Sequence, residues 1–553
     1  MSIRRSNILR ILLITVLLGL AGGTVGLARA SSPAVDPGPT PKAQCGPGSK
    51  PETAEQGRVP SSDFASGRAA QGYTCNLALL GHDGSNAGFR VYRYIDAAGH
   101  ECGFYDSGPL LPFQVFLSSP GHTAGVFVLD MSDPAHPKHT DTLTTPAMIT
   151  PHESLSLNVK RGLLAADMGN AATLPGFVDI YDVSKNCLHP TLKSSGPFGI
   201  FGHEGTFSPD GNTFWVSGTA GHTIVALDVT NPSVPVPIWL GTQWVAHGMN
   251  VSDDGNRLYI ADIADAGTNA GLTILDVSQI QQRKQNPQVR VVSHTSWPEV
   301  SIPQTAIPVS INGHPYLVEV DEFSRLNYPK GPLDRSAPVG AARMIDIADD
   351  THPRVVSNLR LEVNMPANEQ GPEQTDPGGT PVIGYTAHYC AVPSRVDPGI
   401  VACGFLSSGM RVFDIRDPLH PKELAYSNFP VVSHQTPELP SWAASAPAFV
   451  PERGEIWYSD GFSGFYAVRF LNGVWPFKTA STAGASVLGA RASVGSPSPA
   501  PPAASGPAPG ATPAAPAAEL ATTGGHAPIA AAGIALFAGF GLRRLRRRLP
   551  PSV

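Results

Sequence analysis

An apolar run that ends on an aspartate and leads into a proline-containing turn recurs along this sequence. It first occurs as VFVLDMSDPAHP at residues 126–137, and five later copies follow at intervals of 46–70 residues. Recurrence at roughly 50 residues, with insertions, is typical of propeller blades and not of the shorter helical repeats. The aspartates that close these runs are Asp130, Asp182, Asp228, Asp276, Asp346 and Asp414.

A seventh run, GFYAVRFLNG, places Arg469 where the other copies have aspartate. Upstream of most runs, a tight turn such as Asp-Gly or Asn-Gly opens a β-rich segment, which is a hairpin signal. Each copy therefore predicts four antiparallel strands, the apolar run being the third, buried between neighbouring blades. The aspartate is expected to bond nearby backbone N–H groups, and proline ends the ladder. The fold class is all-β, a seven-bladed β-propeller.

The segment NLALLGH, residues 76–82, precedes the first blade and has no blade of its own. The seventh blade, in turn, has no outer strand after Phe470, because the chain continues into a proline-rich segment. We expect this N-terminal strand to pair with the seventh blade and close the ring, which would remove the exposed sheet edges.

The repeat resembles that of the LVIVD-repeat proteins of bacterial surfaces. The resemblance lies in VFVLDMSDPAHP, TIVALDVTNPSVP, LTILDVSQI and RVFDIRDPLHP, and it covers roughly residues 75–475. The family is defined by its repeat, so the resemblance implies the propeller fold and no particular chemistry.

The N-terminus has the layout of a secretory signal. The chain begins with a basic segment that contains Arg4, Arg5 and Arg10. An apolar stretch follows, and then Ala28-Arg29-Ala30. We expect cleavage after Ala30, so residues 1–30 form the signal peptide and residues 31–74 an N-terminal extension of the mature protein. An uncleaved anchor helix is the alternative. The export route, general secretory or twin-arginine, stays open.

The C-terminus predicts a spacer and an anchor beyond a propeller domain at residues 75–478. Residues 479–519 are rich in proline and alanine and contain no aromatic residue, which predicts a disordered spacer. Residues 520–553 then combine a pentapeptide, a short apolar segment and an arginine cluster, which resembles a sortase sorting signal of LAxTG type. That resemblance implies sortase and the cell wall as partners, with cleavage after Thr523; a membrane anchor is the alternative. The pentapeptide is Leu520, Ala521, Thr522, Thr523 and Gly524.

Composition excludes some functions and the cysteines indicate export. Charged residues make up 15% of the chain and the formal net charge is −6, which gives no general attraction to nucleic acid. Six cysteines in an exported chain indicate disulfides. Cys390 and Cys403 flank an Asp-Pro-Gly turn nearly symmetrically, so we predict that they are bridged. The remaining four allow three pairings, which stay open: Cys45, Cys75, Cys102 and Cys187.

Histidines recur at the starts of the predicted inner strands. Because inner strands line the channel of a propeller, these imidazoles could converge on a transition metal such as copper, iron or zinc. The candidate metal ligands are His152, His203, His247 and His388. Candidate second-shell residues, which would orient those ligands, are Glu153, Glu204 and Gln304. The alternative is that the histidines only form hydrogen bonds between blades.

Two functions from different classes follow. The first is a wall-displayed binding module that recognises an extracellular protein or small molecule through its loop-rich face. Two long segments, residues 321–340 and 362–379, are expected on that face, where the histidines begin. The second is a metal-dependent oxidoreductase, of copper or iron type, working in the channel. No catalytic residue is identified by the sequence.

The sorting signal predicts a change of location. Replacing Thr523 and Gly524 by alanine should move the protein from the wall fraction to the membrane fraction, because the bond that sortase would cut is lost. Thr512→Ala, in the spacer, is the control and should leave the protein in the wall. Complete extraction of the wild type by mild detergent would instead indicate a membrane anchor.

Overall fold

Seven antiparallel sheets follow one another along the chain and form the blades of one ring. In this computed structural model the residues described are 38–107, 124–169, 174–263, 269–325, 334–429 and 441–477. The predicted signal peptide, spacer and sorting signal lie outside these residues. The first compact unit of the chain is Met1–Thr479. Among the described residues, no helix has the length and apolar character needed to cross a membrane.

The described residues form 29 strands, which follow one another along the chain. They are β1 (Tyr73–Cys75), β2 (Leu77–Asp83), β3 (Val91–Ile95), β4 (Glu101–Asp106), β5 (Val126–Asp130), β6 (Lys138–Leu143), β7 (Ser156–Asn158), β8 (Leu163–Asp167), β9 (Val178–Asp182), β10 (Thr191–Gly196), β11 (Glu204–Phe207), β12 (Thr213–Gly218), β13 (Thr223–Asp228), β14 (Val236–Gly241), β15 (Ala246–Val251), β16 (Arg257–Asp262), β17 (Gly271–Asp276), β18 (Arg290–Thr295), β19 (Ile302–Ile311), β20 (His314–Glu322), β21 (Ala342–Asp346), β22 (Arg354–Leu359), β23 (Cys390–Ala391), β24 (Ile400–Gly404), β25 (Met410–Asp414), β26 (Lys422–Asn428), β27 (Ala448–Val450), β28 (Glu455–Asp460) and β29 (Gly464–Phe470).

Consecutive sets of four strands make the blades, as the repeat predicts. Blades one to five are β3–β6, β7–β10, β11–β14, β15–β18 and β19–β22. Blade six contains β23–β26 with β1 as a fifth strand, and blade seven contains β27–β29 with β2. The helices are short: α1 (Ser61–Ser66), α2 (Pro146–Ile149), α3 (Ser278–Gln281) and α4 (Pro366–Glu369), with 3₁₀ turns at Ala69–Gln71, Thr219–Gly221, Glu362–Asn364 and Pro372–Thr375.

The repeated aspartate forms the same turn in all six copies. Its carboxylate accepts a hydrogen bond from the backbone N–H two residues later, as from Ser132 to Asp130 at 2.9 Å and from Thr230 to Asp228 at 2.9 Å. The remaining copies behave alike, at 2.9–3.1 Å: Asp182, Asp276, Asp346 and Asp414. An Asx turn of this kind lets the chain leave the buried third strand with its backbone groups satisfied.

The apolar runs are buried between blades, which explains their composition. In β13, for example, every residue from Thr223 to Leu227 is buried, and only the closing Asp228 is partly exposed. The apolar clusters join neighbouring blades, as where Leu163 and Ile180 of blade two pack with Val225 of blade three. A third strand is therefore covered on both faces and needs apolar residues throughout.

The N-terminal strand closes the ring as predicted. Strand β2 pairs antiparallel with β29, with Leu77 opposite Phe470 and His82 opposite Tyr466. This pairing supplies the fourth strand of blade seven, so the first and last parts of the propeller belong to one sheet. Sheet edges that would otherwise be open are joined by backbone hydrogen bonds.

The N-terminal extension packs against blade six, which the sequence did not reveal. Strand β1 pairs with β26, and Tyr73 lies opposite Asn428. Nearby, the buried Arg411 forms ion pairs with Glu52 of the extension and with Glu423 of β26, the latter at 3.1 Å. Buried charges of this kind must be paired, so this cluster fixes the position of the extension.

Three disulfides use all six cysteines. The predicted Cys390–Cys403 bridge is present, and these residues are opposite each other in β23 and β24. The pairing that the sequence left open is Cys45–Cys75 and Cys102–Cys187. The second joins blades one and two across 85 residues. Closing a loop of that length contributes about 4–5 kcal/mol in the chain-entropy account.

Ring closure predicts a strong effect of removing β2. Deleting residues 77–83 exposes the edge of β29, so we expect aggregation and a melting temperature lower by roughly 10 °C or more. Deleting seven residues from the spacer, 485–491, is the control and should change neither. Thermal unfolding measures the melting temperature and light scattering measures aggregation. If the variant without β2 matches the wild type in both, the ring does not depend on this strand.

Candidate metal centre

The four histidines singled out in the sequence come together at one mouth of the channel. His247 lies in β15, His203 directly precedes β11, and His388 and His152 lie just before β23 and β7. They come from blades two, three, four and six. Because the blades circle one axis, residues far apart in sequence meet where the inner strands begin.

Backbone carbonyls orient three of the four imidazoles. Nδ1 of His203 donates to the Gly169 carbonyl at 3.0 Å, Nδ1 of His247 to Pro303 at 2.8 Å, and Nδ1 of His388 to Ala444 at 3.0 Å. A carbonyl can only accept, so each Nδ1 carries the proton and, in the neutral ring, Nε2 keeps its lone pair. The three Nε2 atoms are thus directed toward the carboxylates at this mouth of the channel.

The Nε2 atoms surround the carboxylate of Glu153. The distances to a Glu153 oxygen are 3.1 Å from His203, 3.4 Å from His388, 3.5 Å from His247 and 3.8 Å from His152. Donor atoms of His152, Glu153 and His203 all lie within 4.8 Å of one another. Such a spacing lets several of these groups share one ion.

Sequence reasoning missed a second carboxylate at this point. Glu322, at the end of β20, lies 2.9 Å from Nε2 of His388 and 3.6 Å from Nε2 of His247. With Glu153 and His388 it forms a second group of closely spaced donors. A signal existed, because several second strands end on an acidic residue at this mouth, as β8 does with Asp167 and β16 with Asp262.

The proposed second-shell residues occupy different positions from those expected. Glu153 contacts Nε2 and not Nδ1, so it lies on the ligand side of the rings. Glu204 instead pairs with Arg90. Gln304 is buried at a bulge of β19. Within the described residues, neither polar atom of its side chain has a hydrogen-bond partner. The preceding residue, Pro303, supplies the carbonyl that accepts from His247. Backbone carbonyls take the orienting role that carboxylates were expected to have.

Electrostatics give the site a negative character. Burial lowers the pKa of His152 to about 3 and also lowers the pKa of His247. Burial opposes ionisation of Glu153, but the surrounding histidines outweigh it and hold its pKa well below the ordinary value. For His388, burial is outweighed by Glu322, which raises the pKa. The site therefore buries the carboxylate of Glu153 among imidazoles whose pKa values are shifted in opposite directions.

Aromatic side chains cover one side of the site. Phe89 lies against His152 at 4.7 Å and is stacked on His388 at 5.1 Å between ring centroids. Phe323 and Tyr389 approach His388 at 5.7 Å and 5.0 Å. The His152 side chain is 16% exposed, whereas the other three are 1–6% exposed. Solvent therefore approaches from the His152 side.

Comparisons with known proteins found similar solved structures and no matching family or curated protein. Among solved structures it is similar to hydrazine synthase of Kuenenia stuttgartiensis, with 14% identity and a TM-score of 0.45 over 70% of this chain and 97% of that one. A periplasmic gluconolactonase of Pseudomonas aeruginosa has 13% identity and a TM-score of 0.41, over 64% of this chain and 97% of that one. A protein described as a putative 6-phosphogluconolactonase of Bacteroides fragilis has 10% identity and a TM-score of 0.40, over 64% of this chain and 96% of that one.

The lowered pKa of His152 predicts a pH dependence of stability. The unfolded chain takes up a proton near pH 6.5 and the folded protein only near 3, so this residue destabilises the fold as the pH falls between these values. The slope is at most about 1.4 kcal/mol per pH unit. The comparison uses protein treated with a chelator. Between pH 6.5 and 5, the free energy of unfolding of His152→Gln should therefore fall by about 1–2 kcal/mol less than that of the wild type.

Denaturant unfolding at several pH values measures this difference. His136→Gln, in a surface turn where the side chain is 84% exposed, is the control and should follow the wild type. Parallel curves for wild type and His152→Gln would show that His152 is not held neutral by burial.

Proposed function

We propose that this protein is a metal-dependent oxidoreductase whose histidines, His152, His203, His247 and His388, hold one transition-metal ion. The observation that carries the proposal is the convergence of four Nε2 atoms, from four blades, within 3.8 Å of one carboxylate. Three of the rings use Nδ1 in bonds between blades, and their Nε2 atoms face the carboxylates of Glu153 and Glu322.

The donor set fits an iron or copper ion. Imidazole nitrogen is a ligand that borderline first-row metals prefer, and a carboxylate beside it is common for iron. Glu153 and Glu322, which are 2% and 6% exposed, bring negative charge that a divalent cation would balance. When bound, such an ion would supply one-electron redox chemistry at this mouth of the channel.

The surrounding residues suit oxidation or reduction better than hydrolysis. Phe89, Phe323 and Tyr389 cover the His388 side and keep bulk water away from it, whereas a hydrolytic site needs an ordered water supply. The backbone carbonyls hold the rings in one orientation, so the ligands are arranged before the ion arrives. A substrate would approach past the partly exposed His152.

The loop-rich face, proposed as a binding surface, serves the same site in our proposal. The long segment after β20 is bonded to the segment before β23, since the Ser324 N–H donates to the Val382 carbonyl at 2.9 Å. Phe323, in the first of these segments, contacts His388. Their position favours selection of a small substrate at the metal centre over recognition of a separate protein partner.

We further propose that the protein is exported and anchored at the cell surface as an LVIVD-repeat protein. Three disulfides support an oxidising compartment, since such bonds are rare in the cytosol. The signal-like N-terminus and the sortase-type pentapeptide at residues 520–524 support the route and the anchor.

The metal centre predicts the composition of the purified protein. Elemental analysis should find roughly one iron or copper ion per chain, and electron paramagnetic resonance should detect it in one oxidation state. His203→Ala and His388→Ala should each lose most of the metal, because each removes a ligand. His420→Ala, on a surface turn with an 81% exposed side chain, is the control and should keep it.

Two results would contradict the proposal. Metal-stripped protein that takes up no iron, copper or zinc would exclude the metal centre. Stoichiometric zinc, with no uptake of iron or copper, would keep the centre and exclude the oxidoreductase.

A further inference from the structure

Residues that directly follow the histidines in sequence form a second layer behind them. They are Glu204, Gly248, Tyr389 and the backbone of Glu153, whose carboxylate faces the rings instead. Gly248 is required by close approach, because a Cβ atom there would lie 2.1 Å from a Glu204 carboxylate oxygen and 2.0 Å from the Gln304 carbonyl oxygen. Glu204 is therefore seated against the backbone next to His247.

Arg90 of blade one occupies this layer and reaches three other blades. Its guanidinium donates to the Glu204 carboxylate in blade three and, through Nε, to the Glu153 carbonyl of blade two at 3.1 Å. It also stacks over the Tyr389 ring of blade six at 4.1 Å. With these three contacts, the largely buried Arg90 side chain connects four blades next to the histidines.

The charges explain why an arginine is needed at this depth. Glu204 is 1% exposed and lies one residue from His203, so without a counter-ion it would be a third carboxylate beside the candidate metal ligands. Arg90 pairs with it and supplies a charge that cannot be lost by deprotonation. Because Arg90 holds Glu204, the carboxylates that face the histidines are those of Glu153 and Glu322.

We propose that Arg90 is a positioning residue that keeps Glu204 out of the coordination sphere and fixes the Glu153 backbone behind the metal centre. This inference rests on the proposed metal centre. It gives the site a rear wall opposite the partly exposed His152, past which a substrate would approach. It also makes the metal affinity depend on the charge balance of the Arg90–Glu204 pair.

Binding of Co²⁺ to the purified, metal-stripped protein tests the inference. Glu204→Gln keeps the shape of the side chain but leaves the Arg90 charge uncompensated near the cation, so Co²⁺ affinity should fall by about tenfold or more. The double variant Arg90→Met/Glu204→Gln removes both charges and should recover most of that loss. Arg90→Met alone frees Glu204, and the visible Co²⁺ absorption spectrum should change as carboxylate ligation increases.

A matched control separates this role from general destabilisation. Glu423→Gln breaks another buried pair, with Arg411 of blade six, at 3.1 Å, and should leave Co²⁺ affinity and spectrum unchanged. Melting temperatures are recorded for every variant. If the variants without Arg90 do not fold, Glu204→Gln still decides, since it retains Arg90 and its contacts with Glu153 and Tyr389.

The outcomes distinguish this inference from the proposed function. Wild-type protein that binds no Co²⁺ would overturn the metal centre and this inference with it. If the wild type binds Co²⁺ and Glu204→Gln binds it equally well, with the same spectrum, the metal centre stands and the role of Arg90 is overturned. A double variant as weak as Glu204→Gln would also overturn it, because the loss would then not come from the arginine charge.

Discussion

Closure of the ring by β2 is the constraint on which the remaining structure depends. Each blade has one face toward each neighbour, so an open ring would leave an apolar face and a sheet edge exposed. The pairing of β2 with β29 removes both by joining the two ends of the propeller in one sheet. Closure also fixes a single axis, and the inner strands must then begin around one point.

The candidate metal centre is a direct consequence of that geometry. His152 and His388 are 236 residues apart and belong to blades two and six, yet both approach the carboxylate of Glu153. The bond from Nδ1 to a backbone carbonyl is repeated in three of the four histidines, so one local arrangement serves several blades. The blades that lack a histidine supply Arg90 and Glu322, which set the charge of the site.

Buried charge is concentrated in places that hold separate parts of the chain together. Arg411, with Glu52 and Glu423, attaches the N-terminal extension to blade six, and Arg343, with Glu319 and Asp321, lies within blade five. In these clusters each charge has a partner of opposite sign. The histidine site differs, because the partners of its two carboxylates, Glu153 and Glu322, are imidazoles, and imidazole nitrogen is also a metal ligand.

The amino-acid sequence by itself determined the repeat, the number of blades, the Asx turns, the closing strand and the Cys390–Cys403 bridge. These features depend on contacts that are local, or that repeat with a fixed period, so each leaves a pattern in the chain. The sequence also identified His152, His203, His247 and His388, since two of them share an offset from a turn glycine. Whether their rings would converge depended on strand register, which the pattern did not fix. The tertiary structure decided that, together with the roles of Glu153 and Glu322, the pairing of Glu204 with Arg90, and the two remaining disulfides. Apart from Cys45–Cys75, which lies in the N-terminal extension and β1, these are contacts between blades, and a pair of residues that only the tertiary fold brings together leaves no periodic signal in a single sequence.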